Sequence, residues 1–497
     1  MKKIIIIGAG IGGLSAGIYG LKAGFDAEIY EMHTVPGGEC TGWNRDGYHF
    51  DSCIHWLTGT KKDTQLYKMW CEVGALDNVE IYNHDYFTCY EKEGKKVYIY
   101  RDIEKLRTHL LDISPEDKNQ IEELCNYTKR FQTCYVPADK PQDMMNFFDF
   151  LKMIKNMKSV LPLMSKLNKI TVKEYLSRFK SSLIRGALLS SIMIDYYSST
   201  ALFFTLSTFT ADNGGWPRGG SLAMSKRMAK RFEDLGGKIT YGAKVGKIIV
   251  ENNTATGIEL LDGRIVKGDY IISATDADVT LSELLQNKYK DKKFEIMYSN
   301  PQDYPLPNCV QVSLGVNEDL SHIPHCISFP TTPFDIGGKV IDSLVIKHYY
   351  YEPDFAPKGK SVINCVLTNC DYDFWKKKRE NISEYKAAKA EVAEEVMIRI
   401  VERFPELLGK FEVIDVTTPV TYERYCGAYR GAWMSFAITP KGKFISHSGI
   451  LKGLNNFYMA GQWTLFPGGL PSALVSGKFA VQRICKNEKV PASLHLH

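Results

Sequence analysis

No apolar run in the sequence approaches the ~18 residues that a bilayer-crossing helix needs, which excludes a protein anchored by helical membrane spans. The 12 cysteines are scattered, with no C-x-x-C pair and no His/Cys cluster at zinc spacing, so neither a zinc module nor a dithiol redox motif is expected. With no secretory leader they read as reduced thiols of a cytoplasmic protein, several of them simply buried. An excess of one charge is missing too: 62 basic and 57 acidic residues leave a net +5, which is no polyanion-binding signature, and no nucleic-acid partner is expected. Internal repeats, low-complexity tracts and long linkers are absent. At 497 residues and 44% hydrophobic, the chain has enough material for more than one core, so two domains are the default.

What is present begins at the second residue. Lys2-Lys3 followed by Ile4 to Ile7 looks at first like a secretion signal, but the glycines decide otherwise. Ile4–Ile7 suits a buried parallel strand, and Gly8-Ala9-Gly10-Ile11-Gly12-Gly13 places glycine at all three positions of G-x-G-x-x-G. In such a turn the first glycine permits the bend, the second lets backbone approach a pyrophosphate, and the third lets the helix pack on the strand. Leu14, Ile18 and Leu21 give a helical apolar face, Gly24 ends it, and Ala27 to Tyr30 form a second strand that delivers Glu31 about 20 residues after the turn, where a carboxylate meets a ribose hydroxyl. Strand, turn, helix, strand and acid in this order predict a dinucleotide-binding unit.

Further along, Met32 to Thr60 reads as a functional loop. Residues from about Ile103 to Thr208 are helical in pattern, with breaks at Pro141 and Pro162, and form an inserted unit. A helix to about Leu235 and a meander with turns at Asn252-Asn253 and Asp262-Gly263 precede a buried strand at Tyr270 to Ala274. Alternation in Cys309 to Gly315, Ser343 to Tyr349 and Ser361 to Leu367 predicts a separate sheet, with a long helix at about Ser383 to Phe404. The fold class is α/β: a Rossmann-like domain of residues 1–105, 209–290 and 431–490, interleaved with an α+β substrate domain of residues 106–208 and 291–430. The last segment, a strand at Phe457 to Ala460, a glycine-bearing loop and a helix from about Pro471, points free helix N-terminal amides at an anionic or electron-rich group.

These features together resemble the flavoprotein superfamily of amine oxidases and phytoene desaturases, and within it the phytoene desaturase, carotenoid isomerase and retinol saturase group. The resemblance is carried by Val35-Pro36-Gly37-Gly38, Gly47-Tyr48-His49-Phe50-Asp51, Trp216-Pro217-Arg218-Gly219-Gly220-Ser221, Ile272-Ser273-Ala274-Thr275-Asp276-Ala277, Thr418 to Tyr425 and Pro467-Gly468-Gly469, which span nearly the whole chain. It implies FAD as cofactor. By the same resemblance Gly8, Gly10, Gly12 and Gly13 line the pyrophosphate, Glu31 holds the adenosine ribose, Gly37, Gly38 and Glu39 continue the phosphate loop, and Val245 lies over the adenine. Met32, His55, Trp56, Gly461, Gln462, Gly469, Leu470, Pro471 and Ser472 complete the implied cofactor set. Relatives usually carry Arg or Lys where Glu39 stands; Arg45 is the nearby candidate for the missing charge.

A flavin carries the redox step itself, so no obligatory acid/base constellation is expected. His55 is the best-placed proton-transfer residue, against the alternative of a structural histidine; Tyr429 and Arg430 are candidates to polarise a substrate or flavin oxygen, against a domain-interface pair. Asn146 to Ile170 interleaves Phe147, Phe148, Leu151, Ile154, Met157 and Leu161 with Lys152, Lys155 and Lys158, either an amphipathic helix for peripheral contact with anionic lipid at the inner face of a membrane or core packing with a solvated lysine face. Ile194 to Phe209 is either a tunnel lining or core. The leading expectation is an oxidoreductase that desaturates or saturates a carbon–carbon bond of a lipophilic small molecule such as a carotenoid precursor. A flavin-dependent double-bond isomerase, an amine oxidase and a flavin-free prenyl-group carrier are the alternatives. The oligomeric state, including a homo-oligomer, stays open.

Overall fold

The structure is a computed structural model that describes residues 1–134, 137–465 and 467–490. Its first strand, β1 (Lys3–Ile7), is apolar throughout because both of its faces are covered. Ile4 and Ile6 face helix α1 (Ile11–Lys22), the helix Gly220–Asp234 and the C-terminal helix Gly469–Asn487. Ile5 and Ile7 face Val245, Ile258 and Leu260 of a three-stranded meander. β1 lies at the middle of a five-stranded parallel sheet, between β2 (Asp26–Tyr30) and Tyr270–Ser273; Lys238–Thr240 and Phe457–Met459 form its edges. The meander turns at Asn252-Asn253, both with φ near +50°, as the Asn pair implies.

α1 is poor in large side chains for a packing reason. A Cβ on Gly12 would meet Gly461 Cα at 2.8 Å, and one on Gly477 would meet the Gly12 carbonyl at 2.5 Å, so α1 and the C-terminal helix touch backbone to backbone. Ser15 Oγ donates to the Leu474 carbonyl at 2.7 Å across the same contact.

The second sheet has seven strands in the order Phe411–Thr417, Cys309–Val316, Ser361–Thr368, Lys339–His348, Cys326–Ile336, Tyr86–Lys92 and Lys95–Tyr100. The last two come from within residues 1–105, which the sequence reading assigns to the nucleotide unit. The hairpin Tyr86–Tyr100 is recruited by parallel pairing with Cys326–Ile336, far away in sequence and so not visible in local pattern. Helix Ile382–Arg403 covers one face, burying Val392, Val396 and Ile400 against Leu314, Ile346 and Ile363. The opposite face is turned toward the helical insertion, whose elements run from Ile103 to Thr210 around their own core, as expected. Within Ile194 to Phe209, Ile194, Leu202, Phe203 and Leu206 belong to that core, which settles most of this stretch as packing.

The helix Phe147–Met157 behaves differently. It is closed by an Asn146/Asp149 capping box but buries no residue, and Phe147 and Phe148 are 69% and 77% exposed. The following helix, Leu161–Leu167, returns to the core through Leu163 and Leu167. Among the described residues no helix is long and apolar enough to cross a membrane.

Candidate functional site

The glycine turn is shaped as its spacing requires. Gly8 has φ +96°, and a Cβ on Gly13 would lie 2.0 Å from the Gly8 carbonyl oxygen, so only glycine closes this corner. Gly10, by contrast, is extended, and a Cβ there would meet nothing nearer than the Gly37 carbonyl at 3.9 Å. The space above Gly10 is therefore kept open rather than filled, at the N-terminus of α1, where no side chain caps the first-turn amides. Gly37 donates its N–H to the Ala9 carbonyl at 2.9 Å, which sets the Val35–Gly38 loop against the turn. Glu31 braces the corner: Oε2 accepts from the Ala9 amide at 2.6 Å and Oε1 from the His33 amide at 2.8 Å. Burial outweighs these amides and raises its pKa. This cradle fits a dinucleotide pyrophosphate with an adjacent ribose.

The C-terminal segment closes the same cleft. Gly461 (φ +107°) donates its amide to Ser476 Oγ at 2.8 Å, and the terminal helix starts at Gly469, two residues before the expected Pro471, after an uncapped left-handed Gly468. Gln462 joins the two halves. Its Nε2 donates to Glu39 Oε2 at 2.9 Å while its Oε1 accepts the Gly469 amide at 3.0 Å. Glu39 thus acts as a tie to the C-terminal segment; burial and the nearby Asp276 carboxylate push its pKa up to about 8. Burial lifts Asp276 to about 7, although it accepts from the amides of Tyr429 and Asp278 and from the Tyr298 hydroxyl. Arg45 does not supply the missing phosphate charge, because it extends to the surface and pairs with Asp415 at 3.2 Å. Val245 is buried in the core under Tyr30, and Met32, Leu470, Pro471 and Ser472 are half-buried.

A second space, a narrow cavity of about 40 Å³, lies between the glycine-rich unit and the seven-stranded sheet. His55 and Trp56 form one wall, Gly214–Trp216 and Phe209 another, and Ser190, Ser191 and Met193 of the helical insertion a third. Its floor is the uncovered sheet face. Alternation puts Val345 and Lys347 on that face while Leu344 and Ile346 go to the core below, and cross-strand register aligns Ser313, Asn364, Lys347 and Cys326 in one row. This row holds the wall in place. Lys347 Nζ donates to the carbonyls of His55 and Ile54 at 3.1 and 3.3 Å, and Asn364 Nδ2 and Gln311 Nε2 donate to the Asp51 carbonyl at 2.7 and 3.0 Å. The Asp51 carboxylate takes the Ser221 amide and hydroxyl at 2.6 and 2.7 Å, which ties the Tyr48–Asp51 strand to the start of the helix Gly220–Asp234.

Electrostatics revise the roles expected here. His55 lines the cavity, where burial and the Lys347 charge lower its pKa to about 3 and favour the neutral imidazole. Tyr429 and Arg430 do not line this cavity. Arg430 pairs with the exposed Asp373 at 2.6 Å and lies over Tyr372, and Tyr429 packs edge-on against Tyr298, an arrangement of the interface kind. The sequence reading missed Lys347, His84 and His325. His84 and His325 stack with ring centroids 3.7 Å apart at the cavity wall, both held neutral by burial. A signal existed: Gln311, Lys347 and Asn364 are long polar side chains within the apolar parts of three strands. Among the described residues no His/Cys/Asp/Glu cluster is arranged to hold a metal ion.

Comparison with known proteins agrees with this geometry. The description "Flavin containing amine oxidoreductase" matches residues 11–485. A lycopene-forming phytoene desaturase of Pseudescherichia vulneris is 27% identical over 96% of this chain and 98% of its own. A chloroplastic prolycopene isomerase of Daucus carota is 23% identical over 97% of this chain and 79% of its own. A solved putrescine oxidase bound to putrescine superposes with a TM-score of 0.60 at 14% identity, covering 98% of this chain and 99% of that one, which is a likeness of fold.

Proposed function

Since the chain belongs to the flavin containing amine oxidoreductase family and is an FAD-dependent oxidoreductase, we propose that it adds or removes two hydrogens across a carbon–carbon bond of a lipophilic polyene of the carotenoid kind. The observation that carries this reading is the cavity itself, walled by Trp56, Phe87, Phe209, Trp216 and Met193 and set against the His55 loop that follows the phosphate-binding corner. FAD, when bound, supplies the two-electron exchange. The chain's own contribution is positional. The glycine corner and Glu31 hold the nucleotide end, the Glu39–Gln462–Gly469 tie holds the C-terminal segment over it, and the sheet row fixes the wall against which substrate lies. Neutral His55 accepts or donates one hydrogen bond there without carrying charge.

An amine substrate fits poorly, because the single charge lining the cavity is the Lys347 ammonium, which repels a protonated amine. Double-bond isomerisation is the second reading, favoured by the likeness to the Daucus carota isomerase along nearly the whole chain. Anaerobic incubation of oxidised and of dithionite-reduced enzyme with phytoene, retinol and unsaturated fatty acids separates them by mass. A change of two mass units marks redox chemistry, an unchanged mass with altered retention marks isomerisation, and turnover of a soluble amine with all lipids untouched refutes the proposal.

The same reading has the protein visit a membrane to collect its substrate. Support comes from the helix Phe147–Met157, whose phenylalanines and Leu151 are exposed beside Lys152, Lys155 and Lys158, as docking to anionic lipid requires.

A further inference from the structure

We propose that the floor of the cavity is a carboxylate-binding subsite, built on Lys347, so that the substrate is a long apolar chain ending in an anionic oxygen group. This deepens the polyene reading and rests on the cavity being the substrate site. Lys347 is 5% exposed, and among the described residues no carboxylate lies within ion-pair distance of its Nζ. The cavity lining contains no Asp, Glu or Arg at all. The nearest compensating acid, Asp51, already spends its carboxylate on Ser221 and the Cys53 and Ile54 amides. Two of the three ammonium protons go to the Ile54 and His55 carbonyls, which leaves donor capacity, and the ammonium also lies 4.4 Å from the Trp216 ring centre.

A purely hydrocarbon ligand filling this space strips the remaining solvent from an ammonium with no directly paired carboxylate, which is costly. A carboxylate end instead supplies the missing charge. The neighbours suit such a group: His84 Nε2 is buried without a partner beside the stacked His325, and both rings are polar without adding competing charge. The apolar walls of Trp56, Phe87 and Phe209 then take the chain. The ordinary alternative is that Lys347 only latches the His55 loop to the sheet. That role demands no discrimination between an acid and its alcohol.

The test uses FAD-loaded full-length protein, with quenching of tryptophan emission read against retinoate and retinol, and against oleate and oleyl alcohol. A charge-assisted contact predicts at least tenfold tighter binding of each acid than of its alcohol. The Lys347→Met variant, with FAD content and melting temperature checked, should lose that preference while still binding the alcohols, and Lys347→Arg should keep part of it. Equal affinity for acid and alcohol in the wild type, or a preference that survives in Lys347→Met, overturns the assignment. So does failure of both acids to bind a fully flavinated protein. Lys347-dependent binding of oleate with no binding of either retinoid sustains the subsite and refutes the polyene reading instead.

Discussion

Replacing Gly10 with valine should separate cofactor retention from folding. Gly10 sits at φ −67° and ψ 174°, an extended backbone that valine adopts without strain, and the nearest atom to an added Cβ is 3.9 Å away. The folding cost is then only that of exchanging glycine for a branched residue at a helix N-cap, about 1 kcal/mol. The cofactor cost is far larger, because the branched side chain occupies the space through which the α1 amides reach a pyrophosphate. A wild-type protein holding FAD at a free concentration a thousandfold over Kd gains about 4 kcal/mol of stability from it, and the variant gains none. The expected result is an apoprotein that melts within a few degrees of wild-type apoprotein, has no flavin absorbance and shows no thermal shift on adding FAD. Gly13→Ala is the control: its Cβ would lie 2.0 Å from the Gly8 carbonyl, so it should lower the melting temperature of the apoprotein itself. A Gly10→Val protein with stoichiometric FAD, or Gly13→Ala as stable as wild type, refutes the reasoning.

Glu39, raised to about 8 by burial and Asp276, keeps a proton in the folded state that the unfolded chain releases. Its contribution to stability is therefore complete below the usual carboxylate pKa and is lost as pH rises through about 8. Denaturant titrations of the apoprotein at pH 6 and pH 9 should show a fall on the order of 2 kcal/mol in the wild type and a smaller one in Glu39→Gln; identical falls would remove Glu39 as its source. His55→Gln should lower turnover by tenfold or less and leave the pH profile between 5 and 7 unchanged, since a group at about 3 does not titrate there; a lost kinetic pKa near 6 would restore His55 as the acid or base. Changing Phe147, Phe148 and Leu151 together to serine should abolish co-sedimentation with anionic liposomes while FAD content and melting temperature hold, because none of the three is buried; unchanged sedimentation would return this face to another role.

The nucleotide corner was legible because its chemistry is local: Gly8 to Glu31 holds turn, helix and acid within one βαβ unit. The helical insertion and the long helix Ile382–Arg403 were legible through their period. What was not legible depends on pairing between distant strands. Nothing near Tyr86 announces its parallel alignment beside Cys326–Ile336, and nothing near Lys347 shows that it shares a row with Asn364 and Ser313. Arg430, whose neighbourhood in sequence leads toward the flavin unit, has a positive φ of 51° and pairs with Asp373, the interface alternative of the two readings. Exposure of Phe147 and Phe148 was equally undecidable, since an apolar helical stripe has one appearance in sequence whether or not something covers it.

The glycine contact between α1 and the terminal helix has a consequence for biosynthesis. β1 is made long before Phe457–Met459, which ends its sheet, and Gly12 must wait for Gly461 and Gly477 before the cleft has its second wall. At ordinary translation rates that interval, roughly 450 residues, lasts on the order of half a minute or more. Throughout it the small-residue face of α1 that Gly461 and Gly477 later cover stays open. Cofactor capture is thereby deferred until Gly461 to Gly477 have been made.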